Sequence, residues 1–138
     1  MWLLFWFACA GKIASDDSQG DVYQWPEGVV APKIFSGSVY CQWTDAGLQT
    51  FLELQVDDPQ GPYDIREGRW TAVSPNGQEL ADDVLYCDTE NVCYYSYTPE
   101  QYPLLPCDNL QEYRLEAVLD DYSGNVSEPY VLRYLGIQ

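Results

Sequence analysis

The sequence predicts an all-β domain, and three observations lead to this fold class. Short segments in which apolar and polar residues alternate recur from Val29 onward. Turn-forming residues separate these segments at intervals of about 8–12 residues, a spacing typical of β-sandwiches and β-barrels. No segment combines a helical period of apolar residues with helix-capping residues. The chain has 138 residues, of which 46% are hydrophobic, so one such domain could bury a core.

The first three predicted strands lie at 32–35, 38–43 and 49–56. The third is the clearest, because Leu52, Leu54 and Val56 fall on one face and the other face is mostly polar. The sequence DDPQGP, rich in turn-forming residues, ends this strand.

Five further segments complete the predicted set. A strand at 69–73 ends in the turn SPNG, and strands at 84–87 and 92–98 flank DTEN as a hairpin. The Pro-rich sequence TPEQYPLLP predicts a loop or an edge crossing, because proline cannot donate a hydrogen bond to a sheet. Strands at 112–119 and 130–135 flank DDYSGNVSEP. Seven or eight short strands at this spacing are typical of an immunoglobulin-like sandwich.

The segment YRLEAVLDDYSGNVSEP, residues 113–129, resembles the F strand, FG turn and early G strand of fibronectin type III and bacterial Ig-like domains. The matching residues are Tyr113, Leu115, Ala117, Asp120, Gly124, Asn125 and Ser127. The resemblance implies an Ig-like antiparallel β-sandwich of about seven strands. It also places Tyr113 in a tyrosine corner, with its hydroxyl bonded to nearby backbone.

The charge of the chain narrows the possible functions. Its formal net charge is −16 and it contains no histidine. Phosphate backbones repel such an acidic protein, so nucleic-acid binding is not expected. Without histidine, the chain lacks the usual base of serine and cysteine nucleophile systems. We therefore expect a protein that is not an enzyme.

The N-terminal sequence MWLLFWFACA is entirely apolar. It is shorter than the roughly 20 residues that span a bilayer, but its length suits the apolar region of a secretion signal. No Lys or Arg precedes it, so either the true start lies upstream of Met1 or the signal is unusually short. A buried N-terminal strand is the alternative interpretation.

The end of this apolar run resembles the cleavage box of bacterial lipoproteins, with Ala8 before Cys9. The resemblance implies removal of residues 1–8, lipidation of Cys9 and anchoring in a membrane. Residues 9–28 are then an acidic tether and residues 29–138 the Ig-like domain. Because Ala10 rather than Asp follows the cysteine, the resemblance implies the outer membrane of the bacterial cell envelope, with the domain facing the periplasm or the cell exterior.

The five cysteines agree with an oxidising compartment. If Cys9 carries lipid, four remain, and these allow three pairings. We favour a short Cys87–Cys93 bridge and a longer Cys41–Cys107 bridge. Convergence of the four cysteines on zinc is the weaker alternative, because no CxxC spacing is present.

Acidic residues follow two of the predicted strands. The loops after 49–56 and 113–119 would lie at the same end of an Ig-like sandwich, and oxygen ligands of this kind suit Ca²⁺. The candidate ligands are Asp57, Asp58, Asp64, Asp120, Asp121 and Asn125. The alternative is that Asp and Asn occur there because they favour turns. A glycosidase pair among these carboxylates is less expected.

Tyrosines of the strand at 92–98 are a second candidate site. Tyr95 and Tyr97 share one face and Tyr94 lies on the other, and an exposed face could bind a glycan or a protein. Together, these patterns predict a non-catalytic cell-envelope lipoprotein with a structural or adhesive role. The alternatives are a calcium- or carbohydrate-binding module of the same fold and a small hydrolase.

Overall fold

A computed structural model describes residues 23–138, and the regular secondary structure of this part of the chain is almost all β-strand. Its strands are β1 Lys33–Thr44, β2 Gly47–Asp57, β3 Ile65–Val73, β4 Glu79–Cys87, β5 Val92–Tyr97, β6 Arg114–Asp121, β7 Tyr130–Val131 and β8 Arg133–Ile137. Two short 3-10 helices, Pro62–Asp64 and Cys107–Glu112, precede β3 and β6. Between residues 23 and 138, no helix has the length and apolar character needed to cross a membrane.

The eight strands form one mixed sheet in the order β7-β6-β3-β4-β5-β2-β1-β8. All neighbouring pairs are antiparallel except β1 and β8, which run parallel. The two edge strands, β7 and β8, are consecutive in the chain and separated by Leu132 alone. The two edges of the sheet therefore lie next to each other, and the sheet nearly closes into a barrel.

The core fills the space enclosed by the sheet. Leu52, Leu54 and Val56 of β2 are buried, which confirms the alternation predicted for this strand. From β3, Trp70 enters the same core and stacks on Tyr97 of β5, with ring centroids 5.8 Å apart and an interplanar angle of 6°. Both side chains are at most 1% exposed. The aromatic pair therefore joins strands that are not neighbours in the sheet.

Two disulfides connect the elements in the pairing that the sequence favoured. Cys87–Cys93 lies between β4 and β5, where the chain turns from one strand to the next. Cys41–Cys107 joins β1 to the second 3-10 helix across a sequence separation of 66 residues. The second bridge ties the long connection between β5 and β6 to the sheet.

Three details differ from the sequence-based expectations. The strands predicted at 32–35 and 38–43 are one strand, with an irregular register between Ile34 and Ser36 instead of a break. The last predicted strand, 130–135, divides at Leu132, because its first part pairs with β6 and its second part with β1. The parallel β1–β8 pair also means that the sheet is mixed and not purely antiparallel.

The expected tyrosine corner is also absent from the hydrogen bonds found within residues 23–138. Tyr113 lies at the end of the second 3-10 helix, where its backbone N–H donates to Leu110. Gly124, by contrast, has the positive φ expected in the turn after β6 (+90°). Leu115 and Ala117 point inward as predicted.

The last part of the predicted tether contacts the sheet. The rings of Tyr23 and Trp25 pack edge-on against Phe35, with centroids 4.8 and 6.2 Å away, respectively. Lys33 lies over the rings of Tyr23 and Phe35. Residues before the predicted boundary at 29 thus pack against the domain. The predicted signal segment, 1–8, and Cys9 lie outside the described residues.

Candidate cation site

Three carboxylates converge at one end of the sheet. Asp58 follows β2, Asp64 ends the first 3-10 helix, and Asp121 ends β6. One oxygen from each lies within 4.8 Å of the other two. The loops after β2 and β6 therefore meet, as the sequence predicted.

The loop between β2 and β3 turns Asp58 inward. Asp58 Oδ1 accepts a hydrogen bond from the Gln60 N–H at 2.9 Å, and its carbonyl accepts one from Gly61 at 2.8 Å. Gly61 has a φ of +99°, a conformation that favours glycine. Pro62 then begins the 3-10 helix, which carries Asp64 back towards Asp58.

The turn after β6 positions Asp121 in a similar way. The Asn125 backbone N–H donates to Asp121 Oδ1 at 2.7 Å, and its side-chain Nδ2 donates to Oδ2 at 3.2 Å. The Tyr122 N–H donates to the Asp64 carbonyl at 2.8 Å, and Ser123 Oγ donates to Asp64 Oδ2 at 3.3 Å. These last two bonds join the loops directly.

Burial gives this cluster unusual electrostatics. Asp58 is 1% exposed and Asp121 is 2% exposed. Asp58 Oδ2 is buried and has no hydrogen-bond donor among the described residues. Within that same part of the chain, no Lys or Arg nitrogen lies within 4.0 Å of the three carboxylates.

The two buried carboxyls respond differently to this environment. Burial raises the pKa of Asp58 to about 6, and the neighbouring Asp121 and Asp64 carboxylates add to the increase. Burial acts in the same direction on Asp121, but the hydrogen bonds from Asn125 outweigh it and lower the pKa of Asp121. In the absence of a cation, the pair therefore holds a proton on Asp58 only below about pH 6, and both carboxyls are ionised above it.

The other predicted ligands do not join the three carboxylates. Asp120 forms an ion pair with Arg66, and the side chain of Asp57 accepts the N–H of Asp58. Asn125 directs its amide nitrogen, not its oxygen, at the cluster. Only half of the six predicted ligands therefore come together.

Gln60 is a neighbour of the cluster that the sequence prediction missed. Its side-chain amide lies next to Asp58 and Asp64. With its nitrogen towards them, the amide donates to Asp58 Oδ1 at 2.6 Å and to Asp64 Oδ2 at 3.3 Å. The sequence could have indicated Gln60, because it lies two residues after Asp58 in the same turn.

The predicted tyrosine face is only partly exposed. Tyr97 is 1% exposed and belongs to the core, which corrects the prediction for this residue. Tyr95 is partly buried, and its hydroxyl donates to Asp83 Oδ2 at 2.9 Å. Tyr94 is 50% exposed on the outer side of the sheet.

Tyr94 belongs to a group of outward-facing rings, which we call the aromatic face. Tyr94 pairs with Tyr86 of β4, and their ring centroids are 6.4 Å apart. On the neighbouring strands, Tyr40 and Phe51 pair with each other and stack at 5.4 Å. The aromatic face comprises these four residues on β1, β2, β4 and β5.

The cluster of Asp58, Asp64 and Asp121 has a clear chemical preference. Its donors are oxygen only, and ligand sets of this kind suit hard cations. Its burial does not suit a glycosidase, because the two least exposed carboxyls are out of reach of a sugar. No protein-family model, curated protein or solved structure matches the chain.

Proposed function

We propose that the protein is a non-catalytic lipoprotein of the bacterial cell envelope, in which an Ig-like domain has a structural or adhesive role. The distribution of the strands is the observation that best supports the Ig-like domain in this proposal. One group of antiparallel strands contains β1, β2 and β5, and the other contains β3, β4, β6 and β7. Ig-like sandwiches divide strands A, B and E from strands C, F and G in the same chain order.

The contact between the two groups also agrees with a sandwich. Strands β4 and β5 share only the pairs Tyr86↔Tyr94 and Cys87↔Cys93. Elsewhere the groups meet through side chains such as Trp70 and Tyr97, which is how two stacked sheets form a core. On this interpretation, β8 is the end of strand G after it has crossed to strand A.

The two disulfides support a location outside the cytoplasm. Disulfides persist in oxidising compartments such as the periplasm and the cell surface, and cytosolic thiols remain reduced. Both bridges leave Cys9 as the one cysteine without a partner among the other four. This agrees with its proposed use as the lipid attachment site.

The aromatic face is the surface through which we propose that the domain contacts a protein or a glycan. Tyr86 and Tyr94 are 58% and 50% exposed, and the strand register puts the Tyr40–Phe51 stack on the same face of the sheet. Tyrosine is common in binding surfaces because its ring buries a large area while its hydroxyl stays hydrated. One carboxylate lies within this face, because Glu53 pairs with Tyr94.

The anchor can be tested on the protein isolated from its native membrane. The intact mass should correspond to a chain that begins at Cys9, carries acyl groups and contains two disulfides. The Cys9→Ser variant should move from the detergent phase to the aqueous phase in a detergent-partition experiment. A native protein that keeps Met1 and has five reduced thiols would refute the proposal.

A further inference from the structure

We propose that Asp58, Asp64 and Asp121 bind one Ca²⁺ ion, which joins the loop after β2 to the loop after β6. This site does not depend on the lipid anchor or on the aromatic face. It is therefore tested separately from the function proposed above.

Acidic residues in two turns would not by themselves indicate a cation site. The stronger observation is the burial of Asp58 together with its unpartnered oxygen. This side chain is 1% exposed, and its Oδ2 has no hydrogen-bond donor in the described chain. A buried carboxylate oxygen without a partner is costly, because it loses its hydration and gains no hydrogen bond in exchange. A cation placed between Asp58 and the other two carboxylates supplies the missing partner.

The alternative partner is a proton. If Asp58 is protonated, it can donate a hydrogen bond to Asp121, and this arrangement also removes the like-charge repulsion. The proton and the cation would then compete for the same oxygens. A site whose only partner is a proton would not bind added Ca²⁺, whereas a cation site would, so the two can be distinguished.

The side chain of Gln60 lies next to two of the three carboxylates and is a candidate fourth ligand. Without a cation, its amide nitrogen donates to Asp58 Oδ1 at 2.6 Å and to Asp64 Oδ2 at 3.3 Å. An amide next to two bare carboxylates should present its nitrogen, whereas an amide that shares a cation with them should present its oxygen. The orientation of Gln60 is therefore expected to follow the occupancy of the site.

Calcium suits these ligands better than other common cations. Ca²⁺ binds six to eight oxygens at about 2.3–2.6 Å, so ligands on opposite sides are roughly 4.6–5.2 Å apart. Three oxygens that lie within 4.8 Å of one another fit on such an ion. Zn²⁺ and Cu²⁺ prefer nitrogen or sulfur, which this cluster lacks. Mg²⁺ retains several waters, and two of the three carboxylates are buried.

Binding should stabilise the contact between the two loops. They are already joined by the bonds from Tyr122 and Ser123 to Asp64. The cation adds an attraction where three negative charges now repel each other. Because it binds only when both loops are in place, it should stabilise the folded state in proportion to its concentration.

The experiment uses the full chain after treatment with a chelator. Isothermal titration with CaCl₂ at pH 7.5 should give one Ca²⁺ per chain, with Kd in the range of about 10⁻⁴–10⁻³ M that is typical of extracellular modules. At 20 times Kd, Tm should rise by about 5 °C. MgCl₂ at the same concentration should produce a much smaller shift.

Three variants complete the test. Asp58→Asn and Asp64→Asn should each weaken Ca²⁺ binding at least tenfold. Asp64 is only partly buried, so its variant keeps the test available if Asp58→Asn fails to fold. Asp45→Asn is the matched control, since Asp45 is exposed in the turn between β1 and β2, at the other end of β2, and its variant should bind normally. The proposal is overturned by the absence of binding at 10 mM CaCl₂, by equal binding of Mg²⁺, or by unchanged binding in the two site variants.

Discussion

Asp58 and Asp121 lie side by side with their pKa values displaced in opposite directions. The pKa of Asp58 rises to about 6, and that of Asp121 falls below its usual range. Asn125 explains the difference, because it donates two hydrogen bonds to Asp121 and none to Asp58. One carboxyl is thus held ionised while its neighbour retains a proton into the weakly acidic range.

This relationship predicts a pH dependence of stability without Ca²⁺. Asp58 ionises near pH 4 in the unfolded chain and near pH 6 in the folded one, so the folded state binds more protons between these values. As pH rises through this window, the free energy of unfolding therefore falls because of Asp58. The total decrease from this group is at most about 3 kcal/mol. The lowered pKa of Asp121 has the opposite effect, and at lower pH.

The Asp58→Asn variant isolates this effect. In chelator, it should be more stable than the wild type at pH 7, because the buried charge is gone and an amide can donate to Asp121. Urea unfolding at pH 5 and pH 7 measures the difference. A variant whose stability falls as steeply as the wild type over this interval would assign the pH effect to other groups.

Proton competition predicts how Ca²⁺ affinity depends on pH. Above about pH 6, Asp58 is ionised and binding should be nearly independent of pH; below it, each ion must displace a proton, so affinity should decline. Titrations at pH 5.0 and 7.5 in buffers of different ionisation enthalpy give both the affinity and the number of protons released. Proton release near zero at pH 5.0 would show that Asp58 is not a ligand of the cation.

The positions of Tyr94 and Tyr97 predict that the same substitution, Tyr→Ser, destabilises the fold far more at one position than at the other. Tyr97→Ser removes a ring that is 1% exposed and stacked on Trp70, and should cost about 3–5 kcal/mol. Tyr94→Ser changes a ring that is 50% exposed, and should cost less than about 1 kcal/mol. Denaturant unfolding of both variants measures these losses, and a comparable loss of stability in each would contradict the prediction.

The strand pattern of the sequence was sufficient for the fold class and for most of the strands. Alternation identified β2 because one face is apolar, and the turn residues around Gly124 identified the end of β6. The chain path beyond Leu132 was not predictable in this way. Residues 130–135 alternate equally well beside β6 or beside β1, and only the closure of the sheet decides between them.

The candidate site illustrates the same limit. The sequence placed acidic residues at the ends of two strands, and topology brought these ends together. Adjacent residues of a strand, however, point to opposite faces, so Asp121 enters the cluster while Asp120 pairs with Arg66. The choice between such neighbours depends on the register, and Tyr97 was assigned to the wrong environment because the pattern alone did not show which face was covered.

The two disulfides should contribute unequally to stability. In the loop-entropy model, the bridge with a sequence separation of 66 stabilises the fold by about 4 kcal/mol, and the bridge with a separation of 6 by about 2 kcal/mol. The double variant Cys41→Ala/Cys107→Ala should therefore unfold at a lower urea concentration than Cys87→Ala/Cys93→Ala. The opposite order would show that the short bridge has a structural role beyond chain entropy.

Gly37 tests whether the crossing of the chain from β7 to β8 closes the sheet. A Cβ atom at this position would lie 2.6 Å from Leu132 Cδ2 and 2.6 Å from Leu54 Cδ2. Leu132 is the residue between the two edge strands, so Gly37→Ala should push this crossing away from β1 and cost about 1–3 kcal/mol. Ser38→Ala, one position along the same strand, is the control and should be nearly neutral. Hydrogen exchange should show the loss of protection concentrated at Arg133–Ile137; uniform loss over all strands would mean that closure is not a separable element of the fold.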